Sequence, residues 1–308
     1  FVYNNFTLRL KHTPLAHFNV SPVWEASGWT QVWQGTYTFA TTGWVVGAGG
    51  FVKKTTNGGG AWSVQTVNTA TDLYDVYFTD ANTGWIAGAC GLLLRTTNGG
   101  ALWQTVSSGQ NYHITGVASA NGNNVSAATS GAVMLQSGDL GATWSPASGL
   151  SGDRNFRALA FAGATGWAAN TDGKIWKSTN GGATWLYWGS AAPFTGAWQS
   201  ASATAGYVYI AGLGGRLVRS SGSAAFDDFS DGIASEDLYG LYMLNDDRGW
   251  AVGAGGKIFR YVFSNVPPNC LVSIPLHQQT NVPIDTKITW PRATGCPTGY
   301  RLSLGSTP

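Results

Sequence analysis

The sequence is poor in charged residues and in most residue types that carry chemistry. Of its 308 residues only 10% are charged, and Glu25 and Glu236 are the only glutamates. No run of lysine or arginine occurs, which argues against a nucleic-acid partner or an anionic membrane surface. No apolar stretch reaches the ~18 residues that a transmembrane helix needs. Stretches rich in alanine, leucine and lysine are also missing, so the composition favours strands over helices.

The scarcity of histidine and cysteine argues against a metal site or a bound cofactor. No Cys-x-x-Cys pair occurs. The four histidines do not have the spacing of metal ligands: His12, His17, His113 and His277. No glycine-rich loop precedes a helix, so the glycines indicate turns rather than a phosphate site. Cys90 stands where sister copies of its turn have glycine, which favours an incidental free thiol. We expect no cofactor and no metal.

Glycine and tryptophan, by contrast, are abundant, with 43 and 15 copies, and they fall in a repeated phrase. TGWIAGACGLLLRTTNGGALW (83–103) recurs at 42–62 and 165–185, and its first half recurs at 248–260. The Gly-Trp pair and its looser copies give one set of anchors: Trp44, Trp85, Val125, Trp167, Tyr207 and Trp250. The aromatic residue that closes the turn gives a second set, spaced by 41 residues: Trp62, Trp103, Trp144, Trp185 and Phe226.

A period near 40 residues with strand-like content predicts an all-β fold, a β-propeller of four-stranded blades. In the second unit the predicted strands are 73–78, 84–89, 92–97 and 102–107. Equivalent first strands are predicted at 36–40, 114–120, 156–162, 197–203 and 238–244. Six first strands indicate six blades, with seven as the alternative if 1–22 holds a degenerate unit.

Only five fourth strands follow these first strands. We expect the N-terminal segment 23–32 to supply the missing one and to close the ring, because closure removes an exposed sheet edge. The predicted domains are therefore an N-terminal extension (1–22), the propeller (23–263), and a linker with the first strands of a further module (264–308).

The turn of each repeat carries a Ser/Thr-x-Asx-x-Gly-x-x-Trp pattern, complete at 137–144 as SGDLGATW. An Asx side chain can accept backbone N–H groups of its own turn, and the following glycine tolerates positive φ. We expect these residues to be structural in every blade: Asn57, Trp62, Asn98, Trp103, Asp139, Trp144, Asn180 and Trp185. The fifth copy, 220–226, lacks the Asx residue, so its hairpin should be looser.

These motifs resemble the bacterial neuraminidase (Asp-box) repeat superfamily. The TGWxxGxxGxIxxTxNGGxTW spelling is most similar to the propeller repeats of photosystem II assembly/stability factors, and the resemblance spans about residues 23–263. The resemblance implies a β-propeller fold. It also suggests two functions found among such proteins: glycan cleavage and photosystem II assembly.

A sialidase-like site would need three arginines on a carboxylate, a tyrosine nucleophile with a glutamate, and an acid/base aspartate. The Arg-Ile-Pro signature of that family is absent, and Arg95, Arg219 and Arg260 fall at matching third-strand positions, as repeat residues do. Xyloglucan-cleaving relatives use paired aspartates across two tandem propellers, whereas one propeller is present here. The aspartate pairs 227–228 and 246–247 are typical of solvated turns. The arginine patch described for photosystem-assembly relatives is not visible either.

The remaining option is a binding face. Loops that join fourth to first strands, and second to third strands, crowd one rim of a propeller around its channel. The residues there that break the repeat are the candidate binding residues: Tyr112, His113, Arg154, Arg157, Asp172, Lys174, Trp188, Trp198 and Arg216. Simple drift of loop sequences is the alternative explanation.

From Val266 the composition changes, and Pro267-Pro268 indicates a linker. The following stretch, with NVPIDTKITW and TGYRLSLG, resembles the first half of an immunoglobulin-like or fibronectin type III-like module of bacterial surface proteins. That resemblance makes a Cys270–Cys296 disulfide plausible in an exported protein.

The functional hypothesis is a non-enzymatic, exported protein of the cell surface or an extracellular assembly. Its propeller would be a rigid platform that binds a protein or a surface glycan. The alternatives are a sialidase-like or xyloglucanase-like hydrolase and a photosystem II assembly factor.

Overall fold

The computed structural model describes residues 7–8, 32–37, 42–57, 60–150, 155–190, 197–222, 225–230, 233, 235–246, 248–254 and 258–262. These residues form six antiparallel sheets, the blades of a β-propeller, so the predicted fold class is confirmed. No helix in the described ranges is long and apolar enough to cross a membrane.

The first three blades contain thirteen strands. They are β1 (Thr7–Leu8), β2 (Val32–Tyr37), β3 (Gly43–Gly47), β4 (Val52–Thr55), β5 (Ser63–Val64), β6 (Leu73–Phe78), β7 (Gly84–Gly88), β8 (Leu93–Thr96), β9 (Gln104–Val106), β10 (Ile114–Ser119), β11 (Val125–Thr129), β12 (Leu135–Ser137) and β13 (Ser145–Pro146).

The last three blades contain eleven described strands. They are β14 (Phe156–Ala162), β15 (Thr165–Asn170), β16 (Lys174–Ser178), β17 (Leu186–Ser190), β18 (Trp198–Ala203), β19 (Val208–Gly212), β20 (Leu217–Ser220), β21 (Asp227–Asp228), β22 (Leu238–Asn245), β23 (Arg248–Gly253) and β24 (Ile258–Val262).

Each blade is a meander in which consecutive strands pair antiparallel, and the first strand is innermost. The innermost strands of neighbouring blades contact one another around the ring, as β6 does with β10 and β14 does with β18. The short strand β1 is the exception, because it pairs parallel with β2 and also contacts β22 and β23 of the last blade. Of the predicted closing strand, 23–32, residues 23–31 lie outside the described residues, and Val32 begins β2 instead.

Strand register corrects three details of the sequence-based assignment. The first strand of blade one is β2, which begins four residues before the predicted 36–40, because Thr36 rather than a later residue pairs with Trp44. The sequence anchors equated Trp44 with Val125 and Tyr207. By strand pairing its equivalents are instead Ser126, which pairs with Ala118, and Tyr209, which pairs with Ser202. The residues of high β-propensity indicated where strands lie. Backbone hydrogen bonding between strands decides which residues of different blades are structurally equivalent.

The hydrophobic core lies between neighbouring blades. Trp44 of blade one stacks on Phe78 of blade two with ring centroids 3.8 Å apart, and Trp103 meets the same phenyl ring edge-on at 5.7 Å. Trp44 and Phe78 are fully buried. Stacked and edge-on aromatic pairs contribute about 0.5–1.5 kcal/mol each beyond the area they bury. The repeated tryptophans therefore hold blade to blade.

The glycines of the repeated turn fit this packing. Gly141 has a φ of +73°, and a Cβ at that position would lie 2.1 Å from Nε1 of Trp85 in the preceding blade. Gly100 stands in the same relation to Trp44, at 2.8 Å. Only glycine accepts both the backbone conformation and the approach of the indole. In blades one and two the glycine and tryptophan of the repeat are thus coupled, because Trp44 and Trp85 each pack on a glycine in the turn of the next blade.

Basic residues of the third strands also join the blades. Lys54 donates from Nζ to the carbonyl of Gly99 at 2.7 Å, and Lys177 donates to the carbonyl of Gly222 at 3.1 Å. Each therefore reaches the turn of the next blade, while the ammonium of Lys54 also lies over the Trp44 ring at 5.0 Å. Third-strand cations are thus part of the architecture.

By its contacts the chain divides into two compact units, Phe1–Tyr261 and Val262–Pro308. The first contains the propeller. The immunoglobulin-like or fibronectin-like stretch, together with Cys270 and Cys296, lies outside the described residues, so the module and its disulfide stay predictions.

Candidate functional site

The repeated turns are held by the hydrogen bonds of their own Asx and hydroxyl residues. In blade two, Oδ1 of Asn98 accepts the Leu102 N–H and the Thr96 hydroxyl, both at 2.9 Å, and the Thr96 Oγ1 accepts the Gly100 N–H at 3.0 Å. Asn57 and Asn180 accept the N–H four residues later in the same way, at 2.8 and 2.9 Å. A side chain engaged in this manner organises a hairpin and leaves little for a ligand.

Asp139 is the carboxylate among these turns. Its oxygens accept the Thr143 hydroxyl at 2.6 Å, the Thr143 N–H at 2.9 Å and the Ser137 hydroxyl at 2.7 Å. These bonds, the Thr143 hydroxyl first, hold the pKa of Asp139 well below its usual range. Bonds that favour the charged form make it a permanent acceptor, so it is unsuited to proton transfer near neutral pH.

The tryptophans that close the turns differ in burial. Trp103 and Trp185 are buried, whereas Trp62 and Trp144 are half-buried. Trp144 donates from Nε1 to the Gly141 carbonyl of its own turn at 3.1 Å. The fifth turn includes residues 223–224, which lie outside the described residues, so its looseness stays a prediction.

At the opposite end of the blades, three of the turns between second and third strands each accept a contact from the next blade. In each case one side chain accepts an N–H group of the turn. Asp72 accepts the Gly49 N–H at 2.9 Å, and Asp237 accepts the Gly214 N–H at 2.8 Å. His113 accepts the Cys90 N–H on Nδ1 at 3.3 Å. All three residues stand immediately before an innermost strand, so they fix the starts of these strands. We call this end of the propeller the mouth face.

Each innermost strand has a β-bulge at its second residue on the mouth face. The register shifts by one residue at six equivalent positions: Trp33, Tyr74, Thr115, Arg157, Gln199 and Tyr239. Tyr74, Thr115, Gln199 and Tyr239 are half-buried and Arg157 is exposed, while the residues on both sides of each are buried. A bulge re-aims a side chain out of the pleat. We call the six positions the bulge ring.

Two members of the bulge ring influence each other electrostatically. Tyr74 belongs to blade two and Arg157 to blade four, yet the positive charge of Arg157 acts on the Tyr74 phenol. Burial raises the pKa of Tyr74 and the Asp72 carboxylate raises it further, whereas the positive charge of Arg157 opposes both effects. The Tyr74 ring also meets the His113 ring edge-on at 5.7 Å. Aromatic, cationic and imidazole groups therefore converge on the mouth.

The other members of the bulge ring have polar tips. The Thr115 hydroxyl donates to the carbonyl of Phe156 in the next blade, and the Tyr239 hydroxyl lies 3.4 Å from Oδ2 of Asp237. Gln199 contributes an amide. Arg157 is exposed, so its guanidinium offers planar donors to a ligand.

Several predicted binding residues lie on this mouth face. Tyr112 packs over Gly131 and is 48% exposed, next to His113 at the start of β10. Asp172 and Lys174 belong to the turn of blade four, where the Asn170 side chain accepts both of their N–H groups, at 3.1 and 2.9 Å. Arg216 is exposed beside the equivalent turn of blade five. With Arg157, these residues lie at the same end of the blades.

Two predicted binding residues lie elsewhere, and one is not described. Trp198 is fully buried in the core, because as the first residue of β18 it points between blades. Trp188 lies on the outer strand β17, with its ring against Phe226 at 5.5 Å and under the Lys177 ammonium at 4.9 Å. Neither tryptophan can line the mouth. Arg154 lies outside the described residues.

Among the described residues, the groups that a hydrolase would need do not come together at the mouth. Asp72 and Asp237 are engaged by turn amides, and no cluster of three His, Cys, Asp or Glu residues that could hold a metal occurs in the described ranges. Arg219 is sandwiched between the rings of Tyr207 and Phe229, at 4.9 and 4.6 Å. These interactions are architectural.

A tyrosine beside an arginine and an aspartate does occur between blades five and six. Burial raises the pKa of Tyr209, as does the Asp246 carboxylate, while Arg219 acts in the opposite direction. Tyr209 is fully buried, and Asp246 accepts the Thr204 hydroxyl. A buried phenol of raised pKa is a poor nucleophile. Asp246 was expected in a solvated turn and is instead half-buried in this cluster.

Comparison with protein families matches residues 30–112 to the Photosynthesis system II assembly factor YCF48 family. None of the curated protein sequences matches this chain. Among solved structures, "YCF48 bound to D1 peptide" is similar at 17% identity and a TM-score of 0.61, over 77% of this chain and 79% of that one. YCF48 from Cyanidioschyzon merolae has 17% identity and a TM-score of 0.58, over 76% and 82%.

An ancestral GH74 enzyme is also similar, at 16% identity and a TM-score of 0.63. It matches 76% of this chain, which in turn covers 37% of the enzyme. Likenesses at this level of identity show the propeller fold alone. They agree with the sheets described above.

Arg157 was predicted from sequence as a binding residue, whereas the other five members of the bulge ring were missed. A signal was present, because the second residue of every innermost strand is aromatic or polar: Trp33, Tyr74, Thr115, Arg157, Gln199 and Tyr239. That signal requires the correct alignment of first strands, which the misplaced strand at 36–40 obscured.

Proposed function

We propose that this chain is a non-catalytic propeller that binds an extended segment of a protein partner at the mouth face, in an assembly role like that of YCF48. The bulge ring carries the proposal: the same backbone device occurs in six blades, and in five of them it presents phenol, hydroxyl, guanidinium and amide groups at the mouth face. Identical repeats build a frame, whereas a binding site has to differ from blade to blade.

Three observations support a protein partner over a glycan substrate. A YCF48 structure with a D1 peptide is among the similar folds. Tyr74, Tyr239 and Arg157 are residue types enriched in protein interfaces. Two mouth carboxylates, Asp72 and Asp237, accept turn amides. A hydrolase remains the second candidate because of the GH74 likeness. The exported, cell-surface location and the glycan partner are predictions that none of these observations supports.

The test uses a synthetic peptide with the sequence of the D1 segment bound in the YCF48 structure, labelled for fluorescence polarisation. We expect binding by the full chain, and a loss of about 10–100-fold for Arg157→Ala, because a hydrogen bond to a charged group contributes about 1.5–3 kcal/mol. Tyr74→Ala should weaken binding as well.

Arg248→Ala is the matched control. Arg248 is also an exposed arginine, but it begins β23 at the end opposite the mouth. Equal affinities of the Arg157→Ala and Arg248→Ala proteins would contradict the proposed site. Release of reducing sugars from xyloglucan or of sialic acid from a sialoside by the purified chain would support the hydrolase instead.

A further inference from the structure

Three turns at the mouth face are linked to the next blade by equivalent hydrogen bonds. Gly49, Cys90 and Gly214 have φ angles of +65°, +54° and +70°, so each turn presents its N–H group in the same way. The acceptor side chain stands 23 residues later in all three cases. It is an aspartate twice and a histidine once: Asp72, Asp237 and His113.

The three links differ in how they respond to protons. A carboxylate stays ionised above about pH 5 and remains an acceptor, whereas an imidazole changes charge near about pH 6.5. Neutral His113 accepts the Cys90 N–H on Nδ1 at 3.3 Å, but a doubly protonated imidazole has no acceptor atom left. Among these three links, only that of His113 therefore depends on pH near neutrality.

The backbone around His113 is held by bonds that do not titrate. The His113 carbonyl accepts the Ser130 N–H of its own blade at 2.9 Å. The Ser108 hydroxyl donates to the Gly91 carbonyl at 2.7 Å and so holds the turn that contains Cys90. Loss of the side-chain link would therefore free the Cys90 N–H and the imidazole, while the strands stay paired.

The groups around His113 determine what its charge would act on. The Tyr74 ring meets the His113 ring edge-on at 5.7 Å, and the charges of Asp72 and Arg157 both act on the Tyr74 phenol. Asp75, on the same strand as Tyr74, is buried and accepts a backbone N–H of β10 at 2.8 Å. The titratable and charged residues next to His113 or on the elements that contact β10 are Tyr74, Asp75, Tyr77, Cys90, Tyr112 and Arg157.

We propose that His113 is a pH-sensitive link of the mouth face. At neutral pH the imidazole holds the turn at Cys90 against blade three. Below about pH 6.5 the imidazolium releases the Cys90 N–H and adds a positive charge to the groups around Tyr74. The effect on a bound segment rests on the proposed function: the added charge favours a partner segment that carries carboxylates.

Amide hydrogen exchange of the full chain tests the link at about pH 7.5 and about pH 5.5, one unit on either side of the ordinary histidine value. After correction for the intrinsic effect of pH, the protection factor of the Cys90 N–H should be about fivefold lower at the acidic pH, the usual contribution of a neutral hydrogen bond. The Gly49 and Gly214 N–H groups are internal controls, because their aspartate acceptors stay ionised. An unchanged protection factor at Cys90, or an equal fall at all three positions, would overturn the proposal.

His113→Asn is the matched variant. Asp72 and Asp237 show that an Oδ1 atom at this position reaches the turn, and an amide oxygen accepts at either pH. The protection of the Cys90 N–H should therefore no longer depend on pH in this variant. A fall in protection as large as that of the unmodified chain would assign the effect to another group and refute the role of His113.

The effect on binding is measured by fluorescence polarisation with the labelled D1 peptide extended by aspartates, which stay ionised at both pH values. The unmodified chain should bind this peptide about two- to fivefold more tightly at the acidic pH, the factor for one exposed charge pair, and His113→Asn should not. An equal pH effect in the two proteins would overturn regulation through His113. Failure of the peptide to bind at either pH would contradict the proposed function, while amide exchange decides the link independently.

Discussion

Asp139→Asn is the substitution that best separates the contribution of charge from that of shape in the repeated turn. The sister turns of blades one, two and four carry asparagine and make the same backbone bond, at 2.8–2.9 Å. The variant should therefore keep the turn. It should lose the charge and the bond from the Thr143 hydroxyl to Oδ2, since an amide nitrogen cannot accept it.

The expected loss is about 1 kcal/mol of unfolding free energy at neutral pH. A hydrogen bond to a charged group contributes about 1.5–3 kcal/mol, and the exposure of Asp139 reduces that figure. For a propeller of this size the corresponding fall in melting temperature is about 2–4 °C.

The loss should depend on pH in a defined direction. The folded pKa of Asp139 is lowered from its ordinary value of 3.8. Its contribution is therefore fully present above that value and is lost as the pH falls below it towards the folded pKa. The difference between the two proteins should be largest above about pH 5 and should shrink as the pH falls below about 4.

Thermal melts of both proteins at several pH values measure this difference, with Thr143→Val as a control that removes only the hydroxyl. If Asp139→Asn costs the same at pH 3 and pH 7, the carboxylate charge does not stabilise the turn. A cost of several kcal/mol would mean that asparagine cannot replace the turn geometry.

Two further substitutions test the architecture. Cys90 has a φ of +54° where sister turns have glycine, so Cys90→Gly should stabilise the propeller by about 1 kcal/mol, a rise of roughly 2–4 °C in thermal melts. Cys90→Ala keeps the strained conformation and should not stabilise the protein. An equal gain from alanine and glycine would rule out backbone strain as the cause. Asp75 is buried and accepts the Val117 N–H of the next blade at 2.8 Å, so Asp75→Ala should destabilise by about 2–3 kcal/mol in urea unfolding. The neutral equivalent Ser200→Ala, which removes the bond to the Leu241 N–H, should cost about 1 kcal/mol, and a larger loss from Ser200→Ala than from Asp75→Ala would contradict the charge argument.

Much of the frame was predictable because it repeats. The two sets of anchor residues share one period, which predicted the number of blades. The Asx and glycine residues predicted the hairpin turn of each blade from local chemistry alone. The strand at 36–40 was misplaced because Thr, Tyr and Phe favour strands wherever they stand. The observed innermost strand begins twelve positions before the tryptophan of the next strand, at Val32 for Trp44 and at Leu73 for Trp85.

The candidate site was only partly predictable. Arg157, His113 and Tyr112 stood out because they break the repeat. Trp198 breaks it too, yet it is buried, because sequence does not tell whether a large residue points between blades or into the channel.

The sequence by itself determined the fold class, the period and the chemistry of the turns, because these depend on residues close together in the chain. Tertiary structure decided the rest. A bulge at the second residue of an innermost strand arises from pairing between strands, and the charge of Arg157 acts on Tyr74 although their blades are not neighbours. Such contacts follow from closing the ring, which brings residues more than 80 positions apart to one opening.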